Sequence, residues 1–338
     1  MRTPIIFILS FVSCAILFII LDVQFIKNEP KLIQQQCIIN TQTHFQSESK
    51  DVESKNYPRQ RYLEMNGFWF PFLNRIFLTK DDFQKALEES ETMANITISE
   101  KNSILNVLPT KSEEVSWYYD KLWNPYKSCA LVGNGFFVRN SSLGNEINQK
   151  DCVGRVNYAP TKGFESDVGT KTTIRMYNLG SVNKIFSGEI VDAEFAVSHY
   201  IGHEYPSTAR EQMRFLRQIA SHNFTIPQIT KKDGMTEWVS KKIPPFYSHY
   251  PRSGIQLLFL MLPICESLTT YGIRVSDENF TLNKKFSMHY YDNRSPPGHY
   301  VKHWHSLFGE FTLLQQLRKL KLINVKAETY PGETIDIV

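Results

Sequence analysis

The feature that most limits how this chain folds is an uncharged apolar run, Pro4–Leu21 (PIIFILSFVSCAILFIIL), with Arg2 before it and Asp22 after it. At 1.5 Å per helical residue these 18 residues extend roughly 27 Å, enough for a thin bilayer. The apolar part of a cleaved signal peptide is usually shorter and precedes a small-x-small cleavage site, which LDVQFIKNEP does not supply. The run therefore reads as an uncleaved signal anchor. Leu257–Ile264, the other strongly apolar stretch, is too short to span a bilayer. Everything after the anchor is expected on one side of the membrane, with the short tail before residue 4 in the cytosol by the positive-inside rule.

A lumenal body fits two further features. Asn95-Ile-Thr, Asn140-Ser-Ser, Asn223-Phe-Thr and Asn279-Phe-Thr are candidate glycosylation sites, and Asn293-Arg-Ser is a poorer acceptor because Pro296 follows it. Of five cysteines, Cys14 lies in the anchor, which leaves Cys37, Cys129, Cys152 and Cys265 in an oxidising compartment. Four thiols permit three pairings, and spacing does not choose among them.

Residues 22–58 are polar and without apolar periodicity, and read as a stem. Aromatic residues become dense from Arg59 onward, so the folded domain is placed at 59–338, where a 42% apolar composition can bury a sizeable core. The net charge of +4, from 38 basic and 34 acidic side chains, is spread without a basic block, and no nucleic-acid partner is expected.

Five segments of the domain are legible. Thr79-Lys80-Asp81-Asp82 is a helix start, with helical spacing to Met93. Cys129-Ala-Leu-Val reads as a buried strand ending in the turn Gly133-Asn134-Gly135, which would carry Asn134 to a strand's carboxyl end, where open α/β sheets bind ligands. Gly254–Leu268 is apolar nearly all round and predicts a buried helix that Pro263 must kink or shorten, followed by a strand over Leu268–Ile273. Leu307, Phe311, Leu314 and Leu317 share a helical face, with Ser306 available as N-cap and His305 just before it. Leu322-Ile-Asn-Val then predicts a last strand.

Chemistry is less clear locally. His289, His299, His303 and His305 cluster within 17 residues. His303-x-His305 could ligate zinc, but neither a nearby Cys pair nor an HExxH pattern completes a site. The four are equally compatible with surface and loop histidines. A general base is the third reading, since a helix N-terminus disfavours imidazolium and so populates the neutral, proton-accepting ring at mildly acidic pH. Gly133-Asn134-Gly135 is an incomplete dinucleotide fingerprint, because Val138 stands where the third glycine belongs, so nicotinamide and flavin chemistry is disfavoured. The chain has no Asp-x-Asp, the carboxylate pair with which many nucleotide-sugar transferases hold a divalent ion, which leans toward metal-free chemistry.

Taken together, the pieces resemble the animal sialyltransferases. Cys129–Asn178 (CALVGNGFFVRNSSLGNEINQKDCVGRVNYAPTKGFESDVGTKTTIRMYN) is similar to that family's large donor-binding sialylmotif. Tyr250–Gly272 resembles the small motif, His289-Tyr-Tyr-Asp292 the third and His305-x4-Glu310 the very small one, in the family's order and spacing. The resemblance implies a Rossmann-like α/β nucleotide-sugar glycosyltransferase domain of variant GT-A type, a mostly parallel sheet flanked by helices, on the single N-terminal transmembrane helix. It implies a disulfide between Cys129 and Cys265 that ties the first strand to the buried helix. Asn134, Asn157, Ser253 and Gly254 would bind CMP-sialic acid, His289 would bond the donor phosphate, His305 would be the catalytic base, and Glu310 would support the helix start.

The implied reaction moves sialic acid from CMP-sialic acid to a sugar hydroxyl with inversion, without a cofactor or metal. GNGxxxRNSSLG, APTKGFE-x-DVGTKTT and HYYD look most like the enzymes that build α-2,3 linkages on terminal galactose, with α-2,6 and α-2,8 transfer as alternatives. The implied setting is the Golgi membrane, single-pass type II with a lumenal catalytic domain, and the anchor or stem offers a route to a homodimer. Three departures stand out: Arg252 where the family has a small hydroxyl, Ile273-Arg274 where many members have Phe-Gly, and Pro263 in the helix. Arg252 would either meet a phosphate or face solvent. The departures keep open a non-enzymatic reading, in which the fold is retained as a binding or scaffolding module.

Overall fold

The structure, a computed structural model, describes residues 57–71, 73, 76–89, 96–111, 114–178, 181, 193–199, 228–230, 237–243, 251–273, 288–292, 305 and 307–327. The anchor, nearly all of the stem, Cys37, the sequons at Asn95, Asn223, Asn279 and Asn293, and His299 and His303 lie outside these residues. Among the described residues no helix is long and apolar enough to cross a membrane.

The domain opens with short helices: α1 (Gln60–Met65), α2 (Lys80–Glu89), α3 (Ile98–Val107) and α4 (Ser116–Trp123). The expected start of α2 is present as a reciprocal cap, in which Thr79 Oγ1 accepts the Asp82 N–H at 3.3 Å and Asp82 Oδ2 accepts the Thr79 N–H at 3.0 Å. Thr97 and Glu100 form the same box at α3.

Next come β1 (Tyr126–Val132), α5 (Gly144–Asn148), β2 (Cys152–Val156), α6 (Glu165–Val168), β3 (Ile174–Tyr177), β4 (Phe195–His199), β5 (Gln228–Thr230), α7 (Glu237–Lys242), α8 (Ser253–Met261), β6 (Cys265–Tyr271), α9 (Leu307–Lys319) and β7 (Asn324–Lys326). The seven strands form one sheet in the order β5-β4-β3-β2-β1-β6-β7, every pair parallel. A parallel sheet covered on both faces demands near-continuous apolar strands, and Cys129–Val132 and Cys152–Val156 are buried without interruption. The strand order grows one way from β1 to β5 and the other way through β6 and β7. The direction reverses between β1 and β6, and such switch points are where open α/β sheets leave a ligand crevice at their carboxyl ends.

Helix α8 shows how tightly one face is packed. Its residues are buried except Gly254, and at Gly154 of β2 a Cβ would stand 2.4 Å from Met261 Sδ, so any larger residue there would push the Met261 side chain aside. The helix is shorter than its apolar pattern predicted. It ends at Met261, Pro263 follows within a 3₁₀ turn at Leu262–Ile264, and β6 begins at Cys265 rather than at residue 268. Proline has no N–H to donate into the helix and its ring crowds the preceding turn, so the chain leaves the helix there.

The early exit corrects the disulfide's setting. The Cys129–Cys265 bond is present, with Cα atoms 6.0 Å apart, but it joins β1 to the first residue of its neighbour β6 rather than a strand to a helix. Cys152 is a buried free thiol, in register with Cys129 from β2, and burial pushes it up to about 12. The last strand also starts two residues later than expected, because Leu322 and Ile323 turn into the core after Lys321 adopts a left-handed conformation (φ 55°) that closes α9.

Candidate functional site

The site grows from the turn after β1. The Gly133 N–H donates to the Tyr271 carbonyl at 2.7 Å and the Gly135 N–H to the Gly272 carbonyl at 3.2 Å, so the turn continues the β1–β6 contact past the strand ends. A Cβ would lie 2.8 Å from the Gly272 carbonyl oxygen at Gly133 and 2.5 Å from it at Gly135. Both positions require glycine, and between them Asn134 is held at the switch point. Its side-chain Oδ1 is buried and has no hydrogen-bond partner among the described residues. A buried acceptor left without a donor costs stability, on the order of 1–3 kcal/mol, unless something else fills its valence.

Asn157 follows β2 on the same edge of the sheet. Its backbone is left-handed (φ 55°), its N–H donates to the Met176 carbonyl at 2.8 Å, and its Oδ1 accepts the Asn178 N–H at 3.0 Å. Asn157 thus shapes its own turn, and its amide nitrogen has no partner among the described residues. Beneath it the fully buried Arg175 of β3 donates from Nη1 to the carbonyls of Asn157 and Ala159, each at 3.0 Å. A guanidinium inside a parallel sheet is costly unless its donors are used, and here they pin the loop that carries Asn157. The arginine in Ile-Arg-Met-Tyr was the sequence signal for this support. Asp167 does the same for the loop after the first turn, accepting the N–H groups of Asn140 at 2.8 Å and Ser142 at 3.0 Å, both left-handed residues. Asn140, a sequon asparagine, is exposed.

The segment 288–292 crosses both loops. His289 forms an antiparallel bridge with Gly135, and the Tyr290 N–H donates to the Asn134 carbonyl at 3.1 Å. The buried Tyr290 hydroxyl donates to the Pro160 carbonyl at 2.6 Å, and Tyr291 packs edge-on against Tyr158 with ring centres 5.6 Å apart. Burial, and then the neighbouring Tyr158, hold the Tyr291 phenol far above its ordinary range, so it stays neutral. The His289 ring lies parallel to Tyr291 and its Nδ1 is 2.9 Å from Asp292 Oδ2. A carboxylate on Nδ1 favours a proton on that nitrogen and holds the ring's orientation. Asp292 was readable only as the last residue of the HYYD motif.

The third wall is formed by two helix starts. The α8 start reaches the turn through Ile273, whose Cδ1 is 4.0 Å from a Cβ at Gly254 and whose Cγ1 would be 2.7 Å from one at Gly133. Ser253 is buried at the first position of α8. Half-buried His305 immediately precedes the α9 region. The buried line of α9 is Glu310, Leu313, Leu314 and Leu317, so a carboxylate occupies an apolar stripe, while Phe311 is only partly covered. That carboxylate is 0% exposed and is met by Arg252: Oε1 accepts the Arg252 N–H at 2.7 Å and Oε2 accepts from its Nε. Arg252, whose side chain is partly exposed, is thus ion-paired to Glu310. Asn134, Asn157, His289, Ser253 and Gly254 share the carboxyl edge of the sheet, and the Arg252–Glu310 pair couples α8 to the helix that follows His305.

The pattern of glycosyltransferase family 29 (sialyltransferase) matches residues 77–322. The human CMP-N-acetylneuraminate-beta-galactosamide-alpha-2,3-sialyltransferase 1 is 29% identical over 183 residues, covering 50% of this chain and 49% of its own. An alpha-N-acetylneuraminide alpha-2,8-sialyltransferase of Xenopus laevis is 27% identical over 226 residues, covering 60% of this chain and 59% of its own. The chain thus spans about half the length of the curated relatives it matches. A crystal structure of a mammalian sialyltransferase in complex with Gal-beta-1-3GalNAc-ortho-nitrophenol shares the fold, with a TM-score of 0.51 at 19% identity over 75% of this chain and 91% of that one. On the match over residues 77–322, the chain belongs to glycosyltransferase family 29, the sialyltransferases.

Proposed function

We propose that this protein transfers sialic acid from CMP-sialic acid to the terminal galactose of glycoprotein or glycolipid glycans in α-2,3 linkage. The observation that carries the proposal is the buried, unpartnered Oδ1 of Asn134 at the switch point, bridged through Gly135 to His289. CMP offers ribose hydroxyls and a cytosine amino group as donors for such an acceptor, and the unpartnered amide nitrogen of Asn157 offers a donor in return. The first turn of α8, with Ser253 and Gly254, presents backbone N–H groups and the positive end of the helix dipole to a phosphate.

In the proposed reaction His305 takes the proton from the acceptor hydroxyl as its oxygen attacks the anomeric carbon and the bond to the CMP phosphate breaks, with inversion. His289, oriented by Asp292, meets the charge that develops on the departing phosphate. CMP is a stable leaving group, so the proposal invokes neither metal nor cofactor. The proposed setting is the Golgi membrane, with Pro4–Leu21 as a type II anchor and the catalytic domain in the lumen.

The α-2,3 choice rests on the motif resemblance and on relatives such as the human enzyme; α-2,8 and α-2,6 members match as well. Product analysis separates them. The full-length protein with CMP-sialic acid and galactose-terminated acceptors is expected to yield sialic acid on the galactose 3-hydroxyl. Transfer to a GalNAc 6-hydroxyl or onto another sialic acid would overturn the linkage. Absence of CMP release with every acceptor would favour a binding or scaffolding protein.

A further inference from the structure

We infer that Arg252 is a positioning residue, a clasp that fixes the donor-side helix α8 against the helix α9 that follows the proposed base. The inference rests on the proposed transferase reading and adds a residue to it. Glu310 lies in the apolar stripe of α9 with Leu313, Leu314 and Leu317 and is 0% exposed. A carboxylate there needs a cation and hydrogen bonds, because an unpaired buried charge costs several kcal/mol. Arg252 supplies both kinds of contact. Its backbone N–H donates to Oε1 at 2.7 Å and its guanidinium Nε donates to Oε2, so one carboxylate is gripped by one residue at two points.

The residue so gripped is the N-cap of α8, immediately before Ser253 and Gly254. The carboxylate so bound sits in the first turn of α9, five positions after His305 in the chain. Donor-side and base-side residues 58 apart in sequence meet in this bidentate contact. The side chain is 39% exposed, so the guanidinium does not serve to fill the core. A small hydroxyl at this position could also donate to the carboxylate, as Thr79 and Thr97 do to Asp82 and Glu100, but it carries no charge, so what Arg252 adds in this chain is the cation opposite the buried Glu310.

The test uses full-length protein and compares Arg252→Ala, Arg252→Lys, Glu310→Gln and the double variant Arg252→Ala/Glu310→Gln. The readouts are kcat and KM for CMP-sialic acid, CMP affinity by calorimetry, and the thermal midpoint. Arg252→Ala is expected to lower kcat/KM at least fivefold and to weaken CMP binding, measured well below its midpoint. Arg252→Lys is expected to recover most of that loss, Glu310→Gln to reproduce it, and the double variant to be no worse than the poorer single variant.

A direct contact between Arg252 and the donor phosphate would instead leave Glu310→Gln near wild type and make the two losses multiply, which would overturn the clasp. So would an Arg252→Ala protein with kcat, KM and CMP affinity all within twofold of wild type. A wild type that binds CMP but transfers nothing, or a His305→Ala protein that transfers normally, would sink the transferase mechanism. The CMP-affinity comparison of the four variants would still decide whether the clasp organises the α8 start.

Discussion

The two sides of the site are built differently. On the proposed donor side, Asn134 and Asn157 stand on loops that continue a seven-stranded parallel sheet, closed by a disulfide and by glycines that leave no room for a side chain. On the histidine side, long-range contacts from outside the sheet include His289 to Gly135, Tyr290 to Asn134 and Pro160, and Arg252 to Glu310. The sheet itself sets the first region, and ties made to it by segments outside the sheet set the second. Damage to the framework that carries the proposed donor side should therefore appear mainly as lost folding, whereas damage to the ties should appear mainly as lost turnover in a protein that remains folded.

Breaking the disulfide is the hardest blow to the rigid side. It closes a separation of 136 residues between adjacent central strands. Cys265→Ser is expected to cost about 2–5 kcal/mol, and to lower the yield of secreted or membrane-delivered protein, measured by thermal unfolding and expression. A wild-type midpoint would show that the sheet does not depend on the bond.

Tyr290→Phe acts on the tie side and should be smaller in stability, about 1 kcal/mol for one buried hydrogen bond to the Pro160 carbonyl. Its effect on kcat/KM is expected to exceed its effect on the unfolding free energy, because His289 is the adjacent residue. Equal losses in both would erase the distinction drawn between the two regions.

The smallest effect is expected at Glu146, which fastens α5 to the rim of the sheet by accepting the Lys326 ammonium at 2.7 Å and the Tyr271 hydroxyl at 2.6 Å. The Lys326 contact, followed by Tyr271, holds the Glu146 carboxyl below its ordinary value of 4.5. Since the folded state binds this proton less readily than the unfolded chain, the contribution is fully present above about pH 5 and fades as the pH falls through the folded value. The side chain is 33% exposed, so solvent screening keeps the gain under ~1 kcal/mol. Wild type and Glu146→Gln should differ slightly at pH 7 and converge toward pH 3 in thermal melts; a gap that widens with acid would reverse the sign.

The rigid region was also the more legible one in sequence. Cys129-Ala-Leu-Val followed by Gly-Asn-Gly announces a strand and a tight turn, because burial on two faces and close backbone approach leave local signatures. Helix α8 and its shortening at Pro263 were visible, but the 3₁₀ turn over Leu262–Ile264 that lets Cys265 begin β6 was not. The ties were nearly invisible. Arg252 meets Glu310 across 58 residues, and no periodicity encodes such a pair. In hindsight Glu310 carried a signal, since it falls at helical spacing with Leu313, Leu314 and Leu317, and an acidic residue in an apolar stripe calls for a partner. The histidine cluster alone did not separate His289 and His305 from the others; the four-motif order did, and the structure adds the Gly135 bridge to His289.

The most direct test of the account is to measure CMP binding and sialic acid transfer on the same preparations of wild type, Asn134→Ala and His305→Ala. Asn134→Ala is expected to weaken CMP binding at least tenfold. His305→Ala is expected to keep CMP affinity within about twofold while transfer falls by roughly 10²–10⁴, the range a general base contributes. Undiminished transfer by His305→Ala, or unchanged CMP affinity in Asn134→Ala, would contradict it.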